Sequence, residues 1–184
     1  ARVGTGPCEA LLGGLSGVTG LGWAVGLLPG RLVPLLLGMA WLGVAAGTVD
    51  VLHRRLPDAL TMPAIPAGLL LLCPAGSGAV VRGVAGAVVA LSAYGTVHLV
   101  APAALGAGDV KLAGSLGAAL AGLWWPAPLL AAMLAGVVTL VLALLTRQAV
   151  VPHGPGLLAG SWVVAWPASW LAATGAPHGG AVGG

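Results

Sequence analysis

The sequence predicts an all-α fold, a polytopic bundle of about seven transmembrane helices. Of the 184 residues, 59% are hydrophobic and only 6% are charged. A soluble domain carries about a quarter charged residues, because water must solvate its surface. The apolar runs here approach 20 residues, the length at which a helix crosses the hydrocarbon core of a bilayer. No soluble domain fits between any two of these runs, so the bilayer is the solvent of this protein.

Glycine, proline and charged residues divide the chain into seven apolar segments. They are roughly 10–29, 32–52, 59–74, 79–101, 110–125, 128–147 and 155–173. The third and fifth segments are short for a full span, so we expect them to be tilted, kinked or partly interfacial. Pro63 and Pro66 interrupt the third segment, where neighbouring helices must satisfy the freed carbonyl groups.

Residues 1–31 form an additional N-terminal transmembrane segment in this interpretation, residues 32–173 a six-helix membrane domain and residues 174–184 a disordered, glycine-rich tail. Arg2 precedes the first apolar run, as a basic residue does in a signal peptide. No small-x-small cleavage site follows that run, so we expect the segment to be retained.

The basic residues predict the orientation in the membrane, since cytoplasmic loops carry an excess of Lys and Arg. With the N-terminus in the cytoplasm, five basic residues are cytoplasmic and two are external. The five are Arg2, Arg54, Arg55, Lys111 and Arg147, and the two are Arg31 and Arg82. The acidic residues all become cytoplasmic as well: Glu9, Asp50, Asp58 and Asp109. We therefore expect a multi-pass protein of the inner membrane with its polar chemistry at the cytoplasmic face.

Charge and cysteine content argue against several other functions. The net charge of +3 is small and scattered, which does not indicate nucleic-acid binding. Cys8 and Cys73 lie far apart without a CxxC pair, so neither a zinc site nor a redox motif is expected. We expect no metal and no cofactor.

Two aspartates adjoin apolar helix sequence. Asp50 ends the second segment and Asp109 opens the fifth. Ionisable residues in such positions are functional candidates, although an interfacial carboxylate can also simply mark where a helix meets water. Gly43 and Gly47 share one helical face with Asp50, and such a small-residue stripe is expected to direct Asp50 into a helix–helix contact.

Two glycines precede the second aspartate. Gly106 and Gly108 are expected to allow backbone conformations that other residues resist, and so to hold Asp109 at a helix start. Two carboxylates brought together can share one proton, because like charges a few ångströms apart cannot both ionise. One then acts as a general base on water while the other protonates a carbonyl oxygen.

Three stretches together resemble the type IV prepilin peptidases, a family of GxGD intramembrane aspartyl proteases. Asp50-Val-Leu-His-Arg-Arg-Leu-Pro57-Asp-Ala-Leu-Thr61 is similar to the first signature of the family. Gly106-Ala-Gly-Asp109-Val-Lys111-Leu is similar to the GxGD-x-K-L motif. Val151-Pro-His-Gly-Pro155-Gly-Leu-Leu-Ala159 is similar to a third, Pro-Phe-Gly-Pro segment. The three occur in the family's order, each at a predicted helix boundary.

The resemblance implies an intramembrane aspartyl endopeptidase that removes the leader peptide of prepilins or pilin-like proteins at the cytoplasmic face. Asp50 and Asp109 match the catalytic pair of the family. The other matched positions support the motifs: Gly106, Gly108, Lys111, Pro57, Thr61, Gly154 and Pro155. The implied partners are a prepilin substrate and the lipid bilayer, with neither nucleic acid nor cofactor.

This sequence departs from the family pattern at two positions and in length. His153 stands where the family usually has Phe, and Asp58 where Asn is commoner. Bifunctional members carry an N-terminal methyltransferase domain, often with paired CxxC motifs, which the sequence before the first signature does not contain. The expectation is a short form with peptidase activity alone.

Lys111 and Asp58 have more than one interpretation. Lys111 either supports the charge of the aspartate pair, contacts an acidic substrate residue or anchors its helix at the interface. Asp58 is expected to cap the third segment. An inert homologue that acts in membrane assembly is the alternative function. A small transporter is disfavoured, because its charges would lie nearer the middle of a helix. The pilin served and the oligomeric state stay open.

Overall fold

The computed structural model describes residues 5–53, 58–102, 105–146 and 154–174, which form seven α-helices. Within these ranges there is no β-strand. The helices are α1 (Thr5–Ala24), α2 (Val33–His53), α3 (Asp58–Leu72), α4 (Ser77–Val100), α5 (Ala107–Leu123), α6 (Ala127–Thr146) and α7 (Gly154–Thr174). Short 3-10 turns precede α2 and follow α3. The predicted all-α bundle is confirmed, and each of the seven predicted segments corresponds to one helix.

Five of these helices are long and apolar enough to cross a membrane. The five spans are Gly30–Asp50, Asp58–Ala75, Ser77–Val100, Ala127–Leu145 and Gly156–Thr174. The two remaining described helices are α1 and α5. With 17 residues, α5 is about 25 Å long, which is shorter than a typical hydrocarbon core of about 30 Å. Its shortness agrees with the prediction for the fifth segment.

Helix α5 lies at the centre of the bundle. Every residue from Leu112 to Leu123 is buried, and the helix contacts α3, α4, α6 and α7. Most of these buried residues are Ala, Gly or Ser, so neighbouring helices approach from several sides. Because protein surrounds it, α5 need not match the thickness of the lipid.

The closest helix packing joins α4 to α5 through glycine. A Cβ atom built on Gly86 would lie 2.5 Å from the carbonyl oxygen of Gly117 and would also collide with Ala121. A Cβ atom built on Gly117 would lie 2.7 Å from the Cβ of Ala90. The two backbones are therefore in direct contact, as small residues allow between membrane helices.

Charged side chains lie at both ends of the bundle. Arg82, near the start of α4, donates from Nη2 to the carbonyl oxygen of Gly122 at 2.9 Å. That carbonyl belongs to the last turn of α5, where the helix itself provides no donor. Arg31 lies at this same end, in the turn before α2. Asp50, Asp58 and the start of α5 lie at the opposite end of the bundle.

Several sequence predictions concern residues outside the described ranges. They are Arg2, Arg54, Arg55, Pro57, Arg147, His153 and residues 175–184 of the tail. Thr174, which the prediction assigns to the tail, is the last residue of α7. The disordered tail, the division into domains and the retained first segment stay predictions.

We expect Gly86→Ala to destabilise the protein by about 1–3 kcal/mol, because the added methyl group forces α4 away from α5. Thermal unfolding in detergent measures the effect. Gly136→Ala in α6 is the matched control, since nothing lies within 4 Å of a Cβ atom built there. Equal melting temperatures for Gly86→Ala and the control would contradict the close α4–α5 contact.

Candidate active site

Asp50 lies in the last turn of α2 with 8% of its surface exposed. One turn earlier, a Cβ atom built on Gly47 would lie 3.6 Å from Leu158 of α7. The predicted helix contact of the small-residue stripe is therefore confirmed at Gly47. It is wrong at Gly43, where a Cβ atom would meet nothing within 4 Å. Gly43 instead lines an open apolar groove of about 630 Å³ between α1, α2 and α7.

Asp109 lies in the first turn of α5, and its backbone N–H donates to the carbonyl oxygen of Gly106 at 3.1 Å. Gly106 has φ −73° and ψ 150°, an extended conformation open to any residue. Gly108 is already helical. The expectation that these glycines adopt a conformation other residues resist is therefore wrong for this structure. A Cβ atom on Gly106 would make only an ordinary contact, 3.5 Å from Asp109 Oδ2.

Gly154, the first residue of α7, is where the two aspartates meet. A Cβ atom built on this glycine would lie 2.6 Å from Asp50 Oδ2 and 3.6 Å from Asp109 Oδ1. Since both distances start from one point, the two oxygens are no more than about 6 Å apart. The glycine leaves no side chain between α7 and the carboxylates. Three helices therefore converge on the pair.

The two carboxylates interact strongly at this separation. Two unit charges about 6 Å apart repel by about 3 kcal/mol at the effective dielectric constant of about 20 that suits protein sites. The doubly ionised pair is disfavoured by that amount, which favours a state with one protonated and one ionised carboxyl group. Asp109 lies in the first turn of α5 and the first residue of α7 lies beside both carboxylates, so the partial positive charge of these helix N-termini stabilises the remaining negative charge. The arrangement can thus present one acid and one base to a bound substrate.

Lys111 forms an ion pair with Asp58. Lys111 Nζ lies 2.6 Å from Asp58 Oδ1, and this ion pair joins the start of α5 to the start of α3. The Asp58 side chain is 68% exposed, so the pair contributes no more than about 1 kcal/mol. Asp58 is the first helical residue of α3, where its charge also suits the helix dipole.

Other matched motif residues lie nearby. Thr61 is fully buried in α3, and its hydroxyl has no hydrogen-bond partner among the residues that the structure describes. It lies one turn after Asp58, on a helix that packs against α5. Pro155 is the second residue of α7, a position that suits a residue without an N–H group. Pro57 lies outside the described residues.

One further residue near the pair belongs to none of the sequence motifs. Tyr94, in α4, is partly buried against the apolar core and interacts electrostatically with Asp109. It is the single tyrosine of the chain. Nothing in the linear sequence distinguishes it from other aromatic residues in apolar segments, since its neighbour is distant along the chain. Among the described residues, no three His, Cys, Asp or Glu side chains come together as metal ligands.

The chain is similar to proteins of one known family. A sequence profile of the type IV leader peptidase family matches residues 36–144. The chain is similar to two curated proteins named prepilin leader peptidase/N-methyltransferase, from Aeromonas salmonicida strain A449 and from Aeromonas salmonicida. Identity to each is 33% over 150 residues, which is 76% of this chain and 51% of the relative. The chain thus spans about half the length of these relatives. No solved structure matches it.

We expect Gly154→Ala to lower any hydrolysis that needs both carboxyl groups about a hundredfold, because the methyl group displaces the Asp50 carboxylate by roughly an ångström. Incubation of the purified variant with a prepilin, the substrate class named for the curated relatives, measures the effect. Gly160→Ala is the matched control in the same helix: its Cβ atom would lie 3.0 Å from the carbonyl oxygen of Ala131, away from the carboxylates. Equal activity losses in the two variants would show that the loss comes from altered packing of α7 and not from displacement of the Asp50 carboxylate.

Proposed function

Since the chain belongs to the type IV leader peptidase family, we propose that it is an aspartyl endopeptidase that cleaves the leader peptides of prepilins or pilin-like proteins. Asp50 and Asp109 are its catalytic pair in this proposal. The curated relatives are prepilin leader peptidases by name, which supports this substrate class. The proposal concerns the peptidase activity only.

One observation carries the proposal. Asp50, Asp109 and Gly154 come from three separate sequence motifs, and all three meet at one point of the bundle. Each lies at the end of a different helix. If the two carboxylates only marked where their helices meet water, there would be no reason for both to lie beside a glycine of a third helix. Convergence of an acid and a base is what peptide hydrolysis requires.

The proposed mechanism uses only the two carboxyl groups and water. The ionised aspartate takes a proton from water, and the oxygen attacks the scissile carbonyl carbon. The protonated aspartate donates its proton to the carbonyl oxygen, so no full negative charge develops there. The tetrahedral intermediate then breaks at the C–N bond: the newly protonated aspartate gives its proton to the leaving nitrogen, and the other aspartate takes a proton from a hydroxyl group of the intermediate, which restores the singly protonated pair. The products are a free carboxylate and a free amine.

The membrane side of the reaction follows from the charges. In the orientation predicted by the basic residues, the end of the bundle that bears Asp50 and Asp58 faces the cytoplasm. Arg31 and Arg82 then lie at the external end. We propose that the protein resides in the inner membrane and that the leader is removed at the cytoplasmic face.

We expect Asp50→Asn and Asp109→Asn each to lower cleavage by about 100- to 10,000-fold without unfolding the protein, because each removes an acid or base. Co-expression with a prepilin, followed by the shift of the processed pilin on a gel, measures cleavage. Thermal unfolding of each purified variant checks the fold.

Asp58→Asn is the control for the catalytic pair, because it keeps an acceptor for Lys111 and lies outside the dyad. It should retain most of the activity, and chelators should leave cleavage intact. Normal processing by Asp50→Asn would refute the two-aspartate mechanism. Absence of cleavage in the wild-type chain with several prepilins would favour the inert homologue.

We expect Asp58→Cys to be shielded from a membrane-impermeant thiol reagent in intact cells, and Ser77→Cys to be labelled. The background is Cys8→Ser with Cys73→Ser, which removes both native thiols. Ser77 is exposed at the start of α4, at the end of the bundle opposite Asp58. The reverse labelling pattern would contradict the cytoplasmic site.

A further inference from the structure

Helices α4 and α5 run antiparallel in a register that several contacts define. A Cβ atom on Gly114 would lie 2.7 Å from Leu91, and one on Gly95 would lie 3.9 Å from Val110. At the end of α4, His98 Nδ1 lies 2.7 Å from the carbonyl oxygen of Leu105, so this nitrogen carries a proton and donates. The last two turns of α4 therefore lie beside the first turns of α5.

Tyr94 belongs to the face of α4 that these contacts define. It follows Leu91 by three positions and precedes His98 by four, spacings that place residues on one side of a helix. The ring is partly buried and packs against the apolar core. At this level of the bundle the first turn of α5 presents Asp109, with which Tyr94 interacts electrostatically.

We propose that Tyr94 is a positioning residue for the catalytic pair: its hydroxyl donates a hydrogen bond to the Asp109 carboxylate and holds it toward Asp50 during the reaction. This inference rests on the proposed function of the pair. A tyrosine suits the task because its ring has few rotatable bonds and core packing fixes it. A phenolic O–H is also a donor to an ionised carboxylate, and such charge-assisted bonds are the strong ones.

The other charged and titratable side chains that the structure describes at this end have different partners or approach from different sides. Lys111 pairs with Asp58 on the α3 side of α5. His98 donates to the loop before α5. Asp50 approaches Asp109 from α2 and α7, through Gly154. Tyr94 therefore approaches the pair from α4, a side that none of these described groups occupies.

The catalytic test uses Tyr94→Phe, which removes the hydroxyl and keeps the ring. We expect kcat to fall about tenfold with KM unchanged, since the bond acts on the pair and not on substrate binding. The acidic limb of the pH–rate profile should move up by about half a unit to one unit, because a donor to ionised Asp109 has been lost. Thr96→Val is the matched control, because the Thr96 hydroxyl is exposed and donates to the carbonyl oxygen of Ser92 in the same helix.

A second measurement is independent of activity. Because Tyr94 is the single tyrosine, the near-ultraviolet absorbance of tyrosinate in an alkaline titration reports this residue alone. Asp109→Asn should lower the midpoint of that titration, since a neighbouring negative charge opposes ionisation of the phenol. Asp58→Asn is the control and should leave the midpoint unchanged.

The two measurements separate this inference from the proposed function. An unchanged midpoint in Asp109→Asn would overturn the Tyr94–Asp109 contact, whether or not the chain cleaves prepilins. A wild-type kcat and pH profile in Tyr94→Phe would overturn the positioning role while leaving the two-aspartate mechanism intact. Failure of the wild-type chain to cleave, with a lowered midpoint in Asp109→Asn, would refute the peptidase and retain the contact.

Discussion

Close backbone approach between helices is the constraint on which this bundle depends. Lipid tails are as apolar as the side chains, so burial from water does not press membrane helices together. Dispersion contacts must do so, and they require short distances. Glycine supplies these distances at Gly86 and Gly117 between α4 and α5, and at Gly154 beside the two carboxylates. The lack of a glycine side chain therefore allows close helix packing in the middle of the bundle and leaves room for the two carboxylates at its end.

The position of α5 links this packing to the site. A helix of 17 residues surrounded by protein can begin deeper than its neighbours, because the bilayer does not set its length. Asp109 is carried by its first turn, and its side chain is reached from α4, α7 and α2. The carboxylate pair thus lies among helix ends, where backbone N–H groups without helical partners oppose the negative charge.

Much of the fold could be predicted from the sequence, because apolar segment length and breaks by Gly, Pro and charge are local properties. All seven helices were expected, including the short fifth one. The meeting of Asp50 with Asp109 was expected from ordered motifs that lie nearly sixty residues apart. The ion pair of Lys111 with Asp58, the open side of Gly43 and the contact of Tyr94 were not. These contacts depend on how each helix is rotated about its axis and shifted along its neighbours. A helix that is apolar on all sides has no polar face from which this rotation and shift could be predicted. The prediction of an unusual backbone conformation at Gly106 is wrong, because this residue has extended dihedral angles that any residue can adopt.

The place of Gly154 in the chain has a consequence for biosynthesis. Ribosomes deliver α2 and α5 to the membrane before α7, so both carboxylates are present in the nascent protein before the helix that closes their site. Until α7 arrives, the pair lacks the close backbone and the positive helix end that confine its shared proton. On the proposed function, the chain is therefore expected to gain its cleavage activity only when its last described helix has been inserted. A ribosome-bound chain that ends before α7 would pass through the crowded translocation machinery without cutting the other proteins inserted there.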